Sequence, residues 1–156
     1  MELPSENVQD YPRPPRLEPV PQRITVRLGG LVIVDTTRAF RVLETHHAPT
    51  YYIPPDDVSA QMRNAPGRSL CEWKGQARYW DVIAGGKTSA RAAWSYTNPS
   101  SRFADLDGFF AFYCSLMEEC TVGGVPATPQ PGDFYGGWVT PNLTGIVKGD
   151  AATRHW

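Results

Sequence analysis

Cysteine is scarce in this chain. Cys71, Cys114 and Cys120 are the only three in 156 residues. No pair has CxxC spacing, so a four-cysteine structural zinc site is excluded and a disulfide framework is not expected. Charge of one sign is also lacking. A net charge of −1 leaves no electrostatic footprint for nucleic acid or an acidic membrane surface. No apolar run approaches the roughly 20 residues of a membrane-spanning helix. The opening "MELPSENVQDYPRPPR" has no basic stretch followed by an apolar one, as an export signal would. No GxxxxGK[ST] loop is present to cradle phosphates. The expectation is a cytoplasmic protein with neither a membrane nor a nucleic-acid partner, and with no cofactor.

What the chain does contain is aromatic. Hydrophobic residues make up 41% and charged residues 20%, an ordinary globular balance, but aromatics reach 12% with five tryptophans. A ring-rich core or pocket is implied. The length suits one domain with a real core.

Three diglycine turns punctuate the sequence. "RITVRL-GG-LVIVDT", "ARYWDVIA-GG-KTSARAAWSY" and "EECTV-GG-VPAT" each read as a β-hairpin, because a tight two-residue turn demands positive φ angles. Ile24, Val26 and Leu28 alternate with polar neighbours in the first. "AFRVLETH" reads as a third strand, which would set Phe40, Val42, Glu44 and His46 on one face. "PDDVSAQM" reads as a short helix, "RNAPGRS" as loop, "SRFADLD" as a helical turn and "GFFAFYC" as a buried strand. Residues 1–21 carry six prolines and form an N-terminal arm, anchored by Tyr11, Leu17 and Val20. Residues 22–128 form the single β domain. Residues 129–156 form a Gly/Pro-rich second arm that keeps Phe134, Tyr135, Trp138 and Trp156. The fold class expected is mainly β: a small antiparallel two-sheet or partly open barrel domain, with one or two short helices and ordered arms.

Two polar clusters stand out. In "ETHHAPTYY", adjacent strand residues point to opposite faces, so His46 and His47 make poor joint metal ligands; a polar strand end is the plainer reading. In "CEWKGQARYWDV", Lys74 beside Trp73 and Gly75 can hold an anion or simply lie over aromatic surface. Cys71 is a nucleophile only with a base beside it, and His47 is the one candidate. Otherwise it is a small buried hydrophobe, as Cys114 is expected to be. Trp94, Tyr96 and Tyr113 read first as core and second as an aromatic cage for a flat or cationic ligand. Asp105 and Asp107 in "ADLDG" have the DxD spacing of a magnesium site, without the Gly-Ser turn that usually precedes one.

Taken together, "RVLETHHAPTYYIPPDDV", "CEWKGQARYWDV", "AAWSYTNP" and "FFAFYC" resemble domain-of-unknown-function family 427, in its longer, actinobacterial-type version, over roughly residues 23–128. Tyr51 and Tyr52 match the family's Tyr-Tyr. Lys74, Gly75, Ala77 and Tyr79 match its Lys-Gly-x-Ala-x-Tyr. Trp94, Tyr96 and Pro99, then Phe112 and Tyr113, match its later aromatics. Glu72 stands where many members have proline after the cysteine. The resemblance implies a β-tent fold like that of methionine sulfoxide reductase B and the thalidomide-binding domain of cereblon. Its usual four-cysteine zinc is ruled out here by the cysteine count. The family sometimes carries a nucleotidyltransferase-type label.

The expected site is a pocket for a small organic ligand, lined by Glu44, His47, Tyr52, Lys74, Tyr79, Trp94, Tyr96 and Tyr113. One alternative is an enzyme using Cys71, His47 or Lys74, or a nucleotidyltransferase-like activity. The other is an interaction protein that self-associates through its arms.

Overall fold

A computed structural model describes residues 3–12, 15–71, 75–97, 99–131, 136–145 and 147, apart from the side chains of 68–71, 75 and 102. The strands, in chain order, begin with β1 (Glu6–Asn7), β2 (Arg16–Pro19), β3 (Ile24–Leu28), β4 (Leu31–Thr36) and β5 (Phe40–Leu43). There follow β6 (Thr50–Tyr52), β7 (Gln61–Cys71), β8 (Gly75–Ala84), β9 (Lys87–Thr97) and β10 (Phe110–Phe112). The last are β11 (Glu119–Val122), β12 (Val125–Pro126), β13 (Thr128–Pro129), β14 (Trp138–Val139) and β15 (Leu143–Thr144). Among the described residues only short 3-10 turns interrupt them, the longest being Ser101–Leu106. No helix among the described residues is long and apolar enough to cross a membrane.

The fold is mainly β and antiparallel, as the hairpin pattern predicts. All three diglycine turns form, with φ of 62° and 76° at Gly29 and Gly30, the pair of positive values a two-residue hairpin needs. One sheet runs β12-β11-β3-β4 and a second β10-β9-β8-β7. Ile24, Val26 and Leu28 of the first sheet are buried, and they pack with Val82, Ala93 and Phe112 of the second. The other face of the second sheet carries Ala77, Trp94, Tyr96 and Ala111. It is covered by Val42 and Tyr52 from a third sheet, β2-β5-β6, and by Phe103 and Leu106 of the 3-10 turn. Paired backbone bonds between Ile53 and Phe110, at 2.7 and 2.9 Å, join the third sheet to β10. The second sheet is thus the middle layer, buried on both sides. All these sheets are open; none of them closes into a barrel.

Described residues near both ends of the chain pair with other strands. β2 pairs with β5, and β1 runs parallel to β15, so the two arms meet. Trp138 is 1% exposed. Its indole donates to the Phe112 carbonyl at 3.0 Å and its backbone N–H to Pro49 at 2.9 Å.

Three expectations are corrected. The helix expected from Pro55 is a single 3-10 turn, Pro55–Asp57. Val58 then bridges to Val34 and Ser59 donates to the Ile33 carbonyl at 2.7 Å. The open edge of β4 captures this backbone before a second helical turn can form. "RNAPGRS" is not loop but the middle of β7, whose Pro66 and Gly67 form a bulge on an edge strand, where both residues are tolerated. The third strand stops at Leu43, so Glu44 and His46 do not share a strand face. His46 turns left-handed at φ 64°, with its N–H bonded to the Val8 carbonyl at 3.1 Å.

Candidate functional site

Strand register decides which rings meet. Tyr79 on β8 pairs with Trp94 on β9, and Trp94 pairs with Ala111 on β10. Ala77 pairs with Tyr96. Alanines beside the large rings leave them room to lie across the sheet. Tyr52 crosses from β6 and sits 6.4 Å from Trp94, edge-on at 87°, and 6.2 Å from Tyr96. Edge-to-face packing suits the ring quadrupoles. Tyr113, just past β10, lies 4.6 Å from Trp94. Five of the expected site residues therefore form one ring cluster. Tyr52, Trp94 and Tyr96 are buried in it, while Tyr79 and Tyr113 are only half-buried and form its outer rim. Burial pushes the Tyr113 hydroxyl pKa up; Tyr79 adds to this and Arg91 opposes it.

Arg91 completes the rim, and the sequence pattern hides it. In a regular strand, residues three apart face opposite ways, so Arg91 would point away from Trp94. The β8–β9 register jumps from Trp80↔Ala93 to Val82↔Ser89, so Ala90, Arg91 and Ala92 all oppose Asp81. This bulge turns Arg91 left-handed, at φ 50°. Its guanidinium comes to rest 4.2 Å over the Tyr79 ring. It also donates to the Pro66 carbonyl. Asp81 holds the bulge: its carboxylate accepts from the Arg91 N–H at 2.9 Å and from Arg63 at 3.0 Å. Those bonds, the Arg91 backbone first, lower the Asp81 pKa. Gly67 is the matching gap in β7. At φ 98°, its absent Cβ would come within 2.8 Å of the Arg91 guanidinium. Two bulges, one in β7 and one in β9, thus meet over Tyr79.

The remaining expected residues are placed differently. His47 lies in the turn after β5, with Nδ1 3.2 Å from the Gln130 side-chain amide. Gln130 Oε1 also accepts the buried Ala48 N–H at 3.1 Å. Gly137 passes so close to Gln130 and Ala48 that a Cβ would overlap them, and one on Gly136 would overlap the Trp94 indole. His47 is thereby linked to the ring cluster through the C-terminal arm. Glu44 opens that same turn, its carbonyl accepting the His47 N–H at 3.0 Å. Lys74 and the side chain of Cys71 lie outside the described residues, as do Phe134, Tyr135 and Trp156. Asp105 and Asp107 are exposed. Among the described residues no group of three or more His, Cys, Asp or Glu gathers as a metal site.

A second polar cluster has no local signature in the sequence because its members are far apart. Arg41 donates to Glu18 at 2.6 Å and to both Glu6 oxygens at 2.6 and 3.0 Å. Tyr11 adds a bond to Glu6 at 3.2 Å. Burial raises the Glu6 pKa, but the Arg41 guanidinium overrides it and holds the carboxyl below its ordinary value. Burial pushes the neighbouring Tyr51 hydroxyl up to about 12. Glu6, Glu18, Arg41 and Tyr51 line a cavity of about 90 Å³ between the N-terminal arm and the body.

No curated protein matches the chain. Residues 16–123 match the model of the domain of unknown function DUF427, and the chain belongs to that family.

Proposed function

We propose that the chain is a small-molecule binding module that takes a flat organic anion at the rim formed by Tyr79, Arg91 and Tyr113, over the buried Trp94. The observation that carries this reading is the seat of Arg91. A non-glycine residue at positive φ is held there by a carboxylate and laid over a tyrosine face. Such strain concentrates at binding sites, and bulges beside sites re-aim side chains. A guanidinium has five N–H donors in a planar fork suited to a carboxylate, and rings beside it offer stacking surface. Tyr52 and Tyr96 form the packed floor behind the rim, and His47 adjoins it through Gln130.

The test is thermal shift with a panel of aromatic carboxylates and their neutral amides. A binder present at a hundredfold excess over its Kd adds about 2.7 kcal/mol. For a chain of this size that raises the melting midpoint by roughly 5–10 °C. The carboxylates are expected to shift the midpoint and the amides not, and Arg91→Gln should abolish the shift. Equal binding of acids and amides, or no shift across the panel, would overturn the reading.

A further inference from the structure

Cys114 was expected to be core, yet one residue, Ala127, links it to Cys120. Cys114 begins the 3-10 turn Cys114–Leu116, and Cys120 lies on β11. Ala127 holds both. Its N–H donates to the Cys120 carbonyl at 2.8 Å, and its carbonyl accepts from the Cys114 thiol at 3.3 Å. The two thiols also shift one another's pKa. Both cysteines are free; Cys120 is buried and Cys114 is partly open to solvent.

We infer that Cys114 and Cys120 form a redox-modification site, a dithiol that a hydroperoxide converts reversibly to an intramolecular disulfide. The Cys114 thiolate attacks the peroxide oxygen. The O–O bond breaks, giving a Cys114 sulfenic acid and releasing water or an alcohol. The Cys120 sulfur, losing its proton, then attacks the Cys114 sulfur and expels the hydroxyl as a second water. Two thiols are oxidised and one peroxide is reduced. The order of events follows from the surroundings. The Cys120 thiol lowers the Cys114 pKa against the opposing effect of burial. Cys114, with burial, raises that of Cys120. Cys114, the one open to solvent, is therefore the attacking thiol, and the buried Cys120 is the resolving one. Oxidation removes the Cys114–Ala127 bond directly beside Tyr113, which lies on Trp94.

The sequence makes the test clean. Cys114 and Cys120 fall in one tryptic peptide and Cys71 in another, while Glu118 and Glu119 lie between the pair. The full chain is treated with hydrogen peroxide, alkylated after unfolding and mapped by mass spectrometry. The expected result is a Cys114–Cys120 peptide lighter by two hydrogens and closed to alkylation. Its halves should stay joined after cleavage at glutamate and part on reduction. Cys120→Ser should leave a Cys114 sulfenic acid that dimedone captures. Cys114→Ser should make loss of the Cys120 thiol about tenfold slower or more. The inference is overturned if both thiols remain alkylatable when Cys71 has already reacted. It is equally overturned if Cys114 passes to the sulfinic acid with Cys120 still free, or if the disulfide formed is between chains.

Discussion

Replacing Arg41 by methionine keeps the length of the side chain and removes the guanidinium that two carboxylates share. Three charge-assisted hydrogen bonds disappear, at 2.6, 2.6 and 3.0 Å. The side chains of Arg41, Glu6 and Glu18 are 17%, 20% and 29% exposed, so this is a mostly buried network rather than a surface pair. Breaking a buried pair costs about 3–5 kcal/mol, because a charge is left without its partner, and partial exposure selects the low end, about 3 kcal/mol. At roughly 2–4 °C per kcal/mol for this chain length, the melting midpoint should fall by about 9 °C near neutral pH. The pH dependence is specific. Arg41 depresses the folded Glu6 pKa, so its stabilisation is complete above the ordinary value of 4.5 and fades as pH falls through the folded value. In the variant, burial still raises the Glu6 pKa, opposed now only by the Tyr11 hydrogen bond and the Arg16 charge, so protonation there relieves the fold. The gap between wild type and variant should therefore narrow as pH drops below 4.5. Scanning calorimetry from pH 7 to pH 3 measures it, where the protein unfolds reversibly. A loss under about 1 kcal/mol, or a gap that stays constant with pH, would refute the argument. The triple variant Arg41→Met, Glu6→Gln, Glu18→Gln should recover much of the loss, since no unpaired carboxylate remains.

Two further outcomes follow from packing. Gly29→Ala should destabilise more than Gly30→Ala: both sit at positive φ, costing about 1–2 kcal/mol, but only the Gly29 methyl would run into the Ala84 carbonyl of the neighbouring hairpin. Urea midpoints at equal m-values would show it, and equal losses would mean the two hairpin tips do not touch. Trp138→Phe should cost about 2 kcal/mol, because the Phe112 carbonyl loses its indole donor in a buried site; a neutral substitution would mean that the C-terminal arm is not packed there.

Legibility in the sequence tracked how local the cause was. The hairpins were readable because each depends on two adjacent glycines and an alternating pattern, as at Gly29-Gly30 beside Ile24, Val26 and Leu28. Tyr79, Trp94 and Tyr96 were readable as one face because they lie on regular stretches on one side of a bulge. Arg91 was not, since the bulge takes Arg91 itself out of the alternation without any glycine or proline to mark it within β9. Pro66-Gly67 did carry a mark, but the same two residues signal a loop as well as a bulge, and only the pairing with β8 decides. The helix expected after Pro55 failed because the competitor was tertiary: the edge of β4 supplied bonds that propensity cannot foresee. Nothing local connects Arg41 to Glu6 and Glu18, which precede it by 35 and 23 residues.

The distribution of irregular backbone supports the binding role proposed for the rim. The diglycine hairpins are strained-looking but cheap, since glycine takes positive φ without a steric cost. Arg91 has no such excuse, and only one other non-glycine residue, His46, shares its positive φ among the described residues. Around Arg91 the chain accumulates further departures from regularity: the Pro66-Gly67 bulge beneath its guanidinium and the Gly136 approach to Trp94 beyond it. A sheet built only for stability would run straight past Tyr79. Here two strands bend at the same level, and each bend serves to bring a cation and a ring together. Trp94 is already held by edge packing with Tyr52 and by Tyr113. A flat ligand would meet a surface that needs little ordering, and ordering is the main cost that weakens binding at a site of this kind. Preorganised rings, a fixed cation and local strain at one rim are separable features, and it is their coincidence at Tyr79 that favours recognition over simple packing.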